Sequence, residues 1–217
     1  MQYQSTKNSS LRLPFDEVLL GNLAPDGGLY VPEKTPHFSL KQINDFQTLT
    51  YQELTKALLY PFVSEALKSK DFENIVRSAY EVFESEEVVK LINLENQRWI
   101  LELFHGPTMA FKDIAMQLFG ALLEYFVQKE SIKIAVLGAT SGDTGPAAIA
   151  ACSRYKDVQV FILYPHERVA EVQRLQMTTS QSMNVHALSI QTDFDGCQSM
   201  VKQLFLDKNI FDSAIII

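Results

Sequence analysis

Residues 132–148, IKIAVLGATSGDTGPAA, decide how the rest of the chain reads. The first six are a short apolar run with Ile and Val, the pattern of a strand buried on both faces. Gly138, Gly142 and Gly145 follow, three of the chain's nine glycines. A helix is expected from 144 to about 153, so the glycines fall between a strand and a helix. Working outward, apolar runs at 158–163, 185–190 and 214–217 read as further strands, with helices expected at 169–177 and 197–206. In the last helix Met200, Val201, Leu204 and Phe205 fall at core spacing. Upstream, 99–104 reads as a strand. The helix expected at 113–128 carries Ile114, Met116, Leu118, Phe119, Leu122, Leu123, Phe126 and Val127, so it is apolar on most faces and belongs inside. Continuous apolar strands alternating with helices predict an α/β fold with a parallel sheet covered on both faces.

The chain changes character near residue 90. Before it the pattern is helical and irregular, with Pro25, Gly27, Gly28, Pro32 and Pro36 in one loop-rich stretch. Ser39 with Gln42 and Thr50 with Glu53 read as capping boxes that open helices. Asp71 precedes Ile75, Val76, Ala79, Tyr80 and Phe83, which share one helical face. Two regions are therefore expected: 1–90, mostly helical, and 91–217, an α/β domain.

Composition narrows the function. The 217 residues are 47% hydrophobic and 21% charged, ordinary for a globular protein and long enough for a sizeable core. The formal net charge is −7 and no basic stripe is visible, which argues against a nucleic-acid-wrapping protein. Cys152 and Cys197 are too few for a disulfide framework and fit a reducing compartment, the cytoplasm. The first ten residues, MQYQSTKNSS, have no apolar core, so no signal peptide is expected, and no run of about 18 apolar residues occurs, so no membrane span is expected. His37, His105, His166 and His186 lack metal-ligand spacing, so no metal is expected. Of the four, His105 is the one beside a candidate site.

In open α/β sheets ligands bind beyond the carboxyl ends of strands, and two segments there carry candidate chemistry. In Gly138–Gly145 the glycines allow tight turns and close backbone approach. Amides at the following helix start suit an anion, and Thr140, Ser141 and Thr144 add hydroxyls. The plain alternative is a glycine-eased turn capped by Asp143. The spacing is neither G-x-G-x-x-G nor a Walker loop, and Ser141 is not in a nucleophile elbow. The second segment, residues 104–113, places Lys112 at a helix N-terminus. The helix dipole makes that position unfavourable for a structural lysine. Positive potential and burial there favour the neutral amine that attacks carbonyls. A solvated lysine beside Asp113 is the plain alternative, and position alone favours it.

Taken together, HGPTMAFKD (105–113) and ATSGDTGPAA (139–148) resemble the threonine synthases, fold-type-II pyridoxal-phosphate enzymes, in the branch typical of bacteria and fungi. APDGGLYVP (24–32), FILYP (161–165) and TDFDGCQSMVKQ (192–203) extend the similarity over essentially the whole chain. The resemblance implies a three-layer, tryptophan synthase β-like fold and pyridoxal 5'-phosphate as cofactor. Lys112 would hold the cofactor as a Schiff base and shuttle protons. Phe111 would pack beside it, and Asp143 would face its ring hydroxyl. Thr140, Ser141, Gly142 and Thr144 would grip the carboxylate of O-phosphohomoserine, which with water would give L-threonine and phosphate. A homo-oligomer is compatible with this. Family chains are roughly twice as long and carry a glycine- and asparagine-rich phosphate cradle further along. The 217 residues are therefore expected to be the N-terminal portion, inactive alone. Two other readings stay open: a related phospho-lyase of the same fold, and a non-catalytic α/β ligand-binding domain.

Overall fold

The computed structural model describes residues 1–21, 23–206 and 214–216, and of 205, 206 and 214–216 the backbone alone. The chain divides into two compact units, Met1–Glu81 and Val82–Ile217. The division falls earlier than the change of character read near residue 90.

The first unit opens with a sheet that the sequence reading did not anticipate. Strand β1 (Gln2–Ser5) lies between β2 (Arg12–Pro14) and β3 (Tyr30–Pro32), antiparallel to both. Its alternation is carried by the buried Tyr3 and Ser5 between two glutamines, so hydropathy shows almost none of it. The glycine-rich stretch 24–32 is tied to β1 through Asp26. Its carboxylate accepts from Ser5 Oγ and from the Gly28 N–H, both at 2.9 Å. The Gly28 bond, more than any other contact, holds that carboxyl below its ordinary value. Helices follow: α1 (Phe15–Leu20), α2 (Leu40–Asp45), a 3-10 turn (Phe46–Thr48), α3 (Tyr51–Val63) and α4 (Ser69–Tyr80). Both expected capping boxes are present. Ser39 and Thr50 accept the backbone N–H of Gln42 and Glu53, and those side chains reach back to the cap amides. Helix α4 buries Ile75, Val76, Ala79 and Tyr80, as the 3–4 spacing predicts, and Phe72 as well; Phe83, expected on the same face, is buried just past the helix end.

The second unit begins with an antiparallel hairpin, β4 (Lys90–Leu94) and β5 (Arg98–Glu102). The run at 99–104 therefore pairs with a strand that was not expected, and it is no part of the parallel sheet. Then come α5 (Lys112–Glu130), β6 (Ile134–Ala139), α6 (Thr144–Cys152), β7 (Val158–Pro165), α7 (Glu171–Thr178), β8 (Val185–Ile190), α8 (Phe194–Leu206) and β9 (Ala214–Ile216). Strands β6 to β9 form one sheet in the order β8-β7-β6-β9, with all neighbours parallel. The strand expected at 214–217 is thus present to Ile216; Ile217 lies outside the described residues.

Both faces of this sheet are covered, as the continuous apolar strands require. On one face Leu137, Leu163, Cys197 and Val201 form a buried cluster with Phe161, Ile190 and Leu204, which seats α8. On the other, Gly145 of α6 sits against Ile162 and Met177. Helix α5 buries nine of its nineteen residues, including Leu123 and Phe126 at 0% exposure. Gly120 is where α5 meets α6 closely: a Cβ there would stand 2.7 Å from the Ala151 carbonyl oxygen. Ser131 ends α5 in the left-handed region at φ 54°. Phe126→Ala is expected to cost about 3–5 kcal/mol of stability by urea denaturation, through lost burial and the cavity left behind. Among the described residues no helix is long and apolar enough to cross a membrane.

Candidate active site

The strand order locates the site. From β6 the chain steps to β7 and β8 in one direction, and β9 lies on the opposite side of β6. The topology therefore reverses beside β6, and the loop after β6 opens at that switch point, where α/β sheets bind ligands. That loop is the glycine stretch 140–143.

Thr140 is buried under the loop. Its side chain is 2% exposed, and its Oγ1 accepts the N–H groups of Gly142 and Gly145, each at 3.0 Å. It braces the loop, and the Gly142 amide is engaged in the same brace. Gly142 is buried, and a Cβ on it would collide with the Gln173 side chain. Asp143 stands at the N-cap of α6 but makes no side-chain cap hydrogen bond. Its Oδ1 accepts instead from Gln173 Nε2 of α7. Ser141 is exposed and Thr144, the first residue of α6, is half-buried. Pro146 has no N–H, and the Gly145 N–H goes to Thr140. The Asp143 and Thr144 amides are thus the ones the helix start has to offer an anion.

The lysine segment is built around a buried carboxylate. Asp113 is 0% exposed and accepts from the Thr108 N–H and the Thr108 hydroxyl, each at 2.8 Å. Gly106 makes the room, since a Cβ there would stand 2.5 Å from Asp113 Cβ. Met109 takes a left-handed conformation at φ 59°, held by its N–H to the Gly106 carbonyl at 3.1 Å. For a residue with a Cβ that costs roughly 1–2 kcal/mol, and the Asp113 clamp offsets it. Lys112 is the first residue of α5, as expected, and its Nζ lies 4.9 Å from the Phe111 ring centroid. His105 pairs with Glu102 at 2.9 Å.

Desolvation raises the Asp113 carboxyl above its ordinary 3.8, against the lowering effect of its Thr108 hydrogen bonds. The folded chain therefore keeps the Asp113 proton to higher pH than the unfolded chain. That contribution is complete below the unfolded value and is lost as pH rises through the raised one. Measured by urea denaturation from about pH 3 to 7, spanning the carboxylate range, the stability of wild type relative to Asp113→Asn should fall with pH. A difference that grows with pH would contradict this.

The two segments share one cleft of about 460 Å³, lined by Thr108, Met109, Ala110 and Phe111 from the lysine side and Asp143 and Pro146 from the glycine side. Helix α7 and the residue before it complete the lining with Ala170, Val172, Gln173 and Gln176. Gln176 Nε2 donates to the Thr108 carbonyl at 3.1 Å. Sequence reasoning missed Gln173, Gln176 and the Thr108–Asp113 clamp. The one available signal was a pair of amides three residues apart in a helix following a strand. Cys152 is buried in α6 with its thiol pushed up to about 12 by desolvation, which suits packing. Among the described residues no cluster of His, Cys, Asp or Glu is arranged to hold a metal.

Comparison with known proteins adds two family matches. Residues 2–80 match the threonine synthase N terminus, and residues 82–213 match the pyridoxal-phosphate dependent enzymes. The chain belongs to the pyridoxal-phosphate dependent enzyme family. Within that family it is similar to the threonine synthase of Pseudomonas aeruginosa, 48% identical over 96% of this chain and 44% of that protein. It also resembles the crystal structures of yeast threonine synthase (TM-score 0.90, 40% identity, 99% of this chain and 45% of that one) and of pyridoxal-phosphate-bound threonine synthase from Brucella melitensis (TM-score 0.88, 44% identity, 96% and 45%). The chain spans less than half the length of the curated relatives it matches.

The cleft's donor set fits the family's cofactor. An aldehyde needs a primary amine, an aromatic ring needs a flat apolar neighbour, and a ring hydroxyl needs an acceptor. Phe111, 54% exposed, and Asp143 line the cleft and could supply the second and third; Lys112, next to Phe111 though not itself in the lining, could supply the first. The volume lies in the range of small-molecule sites.

Proposed function

We propose that this chain carries the lysine and substrate-carboxylate half of a threonine synthase, which converts O-phosphohomoserine and water to L-threonine and phosphate. Pyridoxal phosphate, when bound, supplies an electron sink for charge developing at the substrate carbons. Lys112 would hold the cofactor through its amine, and the same amine would carry protons to and from the substrate's α- and β-carbons. Ser141, Thr144 and the amides at the start of α6 hold the substrate carboxylate. Thr140 and Gly142 keep that loop in shape, and Asp143 faces the ring hydroxyl.

One observation carries the reading: the lysine loop and the glycine loop line the same cleft, in a chain whose first unit matches the threonine synthase N terminus. The test incubates the protein, as its host makes it, with pyridoxal phosphate and O-phosphohomoserine, following phosphate and threonine together. Equal release of both supports the reading. Phosphate release without threonine assigns the site to a related phospho-lyase. Neither product, together with no visible cofactor absorbance, leaves the non-catalytic ligand-binding reading.

A further inference from the structure

Helix α7 is the wall of the cleft to which the proposed chemistry assigns no role, yet it touches both loops. Its Met177 is 1% exposed and abuts Gly145, which anchors the helix in the core. From that anchor Gln173 and Gln176, three residues apart and so neighbours on the helix surface, reach opposite sides of the cleft. Gln173 Nε2 donates to Asp143 Oδ1, and its amide fills the space that Gly142 leaves by lacking a Cβ. Gln176 Nε2 donates to the Thr108 carbonyl at 3.1 Å, and Thr108 is itself clamped by Asp113, the residue after Lys112.

We propose that Gln173 is a positioning residue that fixes the Asp143 carboxylate for the cofactor's ring hydroxyl, with Gln176 holding the lysine loop to the same helix. This rests on the reading of Lys112 and Asp143 given above. The chemistry selects an amide. Asp143 makes no cap bond to its own helix, so its orientation comes from outside. With Oδ1 engaged by Gln173, Oδ2 is the oxygen the residue has to present to the cleft. A glutamate at 173 would set two carboxylates against each other, and a lysine would compete with the cofactor for Asp143. The neutral amide donates to Asp143 through nitrogen and packs its oxygen against Gly142.

The test uses the holoenzyme. The pH midpoint of the visible absorbance of the lysine-linked cofactor and the cofactor Kd are compared for wild type, Gln173→Leu, Gln173→Glu, Asp143→Asn and the double variant Asp143→Asn/Gln173→Glu. Gln173→Leu and Gln173→Glu should each shift the midpoint and weaken cofactor binding about tenfold, the scale of one hydrogen bond to a charged group. The double variant exchanges donor and acceptor, so it should bind the cofactor more tightly than Gln173→Glu alone. Should Gln173→Leu fail to fold, the near-isosteric Gln173→Glu and its double variant still decide the matter. Wild-type midpoint and Kd in both Gln173 variants, or purely additive effects in the double variant, overturn the proposal. A wild-type band that is lost in Lys112→Ala but unchanged in the Gln173 variants overturns Gln173's role alone. A wild type without any cofactor band overturns the proposed function with it.

Discussion

Lys112→Ala should remove the lysine-linked visible absorbance of the cofactor and lower turnover by at least about 10⁴-fold, the upper range for loss of a positioned acid–base group. The size of the effect follows from the cleft. Lys112 is not among its lining residues, but it follows four that are, Thr108 to Phe111, and its Nζ lies 4.9 Å from the Phe111 ring centroid. No lysine is among the cleft's lining residues to take its place. Stability should hardly change, because alanine is a better helix former and a cation at the first turn is disfavoured by the helix dipole. The check is a spectrum, a steady-state assay and a urea melt on the protein as its host makes it. Residual turnover within tenfold of wild type, or an unchanged visible band, would contradict the role given to Lys112.

Gly106→Ala should come next in effect, although Gly106 is not among the residues that line the cleft. Its added Cβ would stand 2.5 Å from Asp113 Cβ, 2.6 Å from Oδ2 and 2.9 Å from Cγ. Those atoms belong to a buried side chain rooted in the first turn of α5, so they have no easy escape. Either Asp113 leaves Thr108 or the lysine loop shifts. The expected cost is about 1–3 kcal/mol of stability, as for other overpacked sites. Turnover should fall about 100-fold, as a displacement near 1 Å of a catalytic group costs. Urea denaturation and the threonine assay check both. Wild-type turnover in Gly106→Ala would show that the Asp113 clamp does not set the position of Lys112.

What the sequence made legible follows from where physical signals are local. The strand at 134–139 announces itself because both its faces are buried, leaving an unbroken apolar run. The caps at Ser39 and Thr50 are legible because the bonds span three residues. The β4–β5 hairpin was missed because its turn carries Asn96 and Gln97 at positive φ, 63° and 59°, without the Asn-Gly pair that usually marks such turns. Strand β1 was missed because glutamines flank its buried tyrosine. In the site, glycine and proline punctuate both loops, so Lys112 and residues 140–144 stood out. Gln173 and Gln176 did not, because their partners lie 30 and 68 residues away in the chain. Only folding brings α7 against both loops. Thr140 reads in sequence as one more hydroxyl of the glycine loop, with no sign of how deeply it sits. In the fold it is 2% exposed and its Oγ1 accepts two loop amides, so it also braces the loop.

The most direct test of Lys112 as the cofactor's anchor is chemical. The protein, saturated with pyridoxal phosphate, is reduced with borohydride, digested and read by peptide mass spectrometry. The expected result is the cofactor's mass on Lys112, in the peptide that carries Asp113, and its loss on addition of excess substrate before reduction. Modification of a different lysine, or of none, would contradict it.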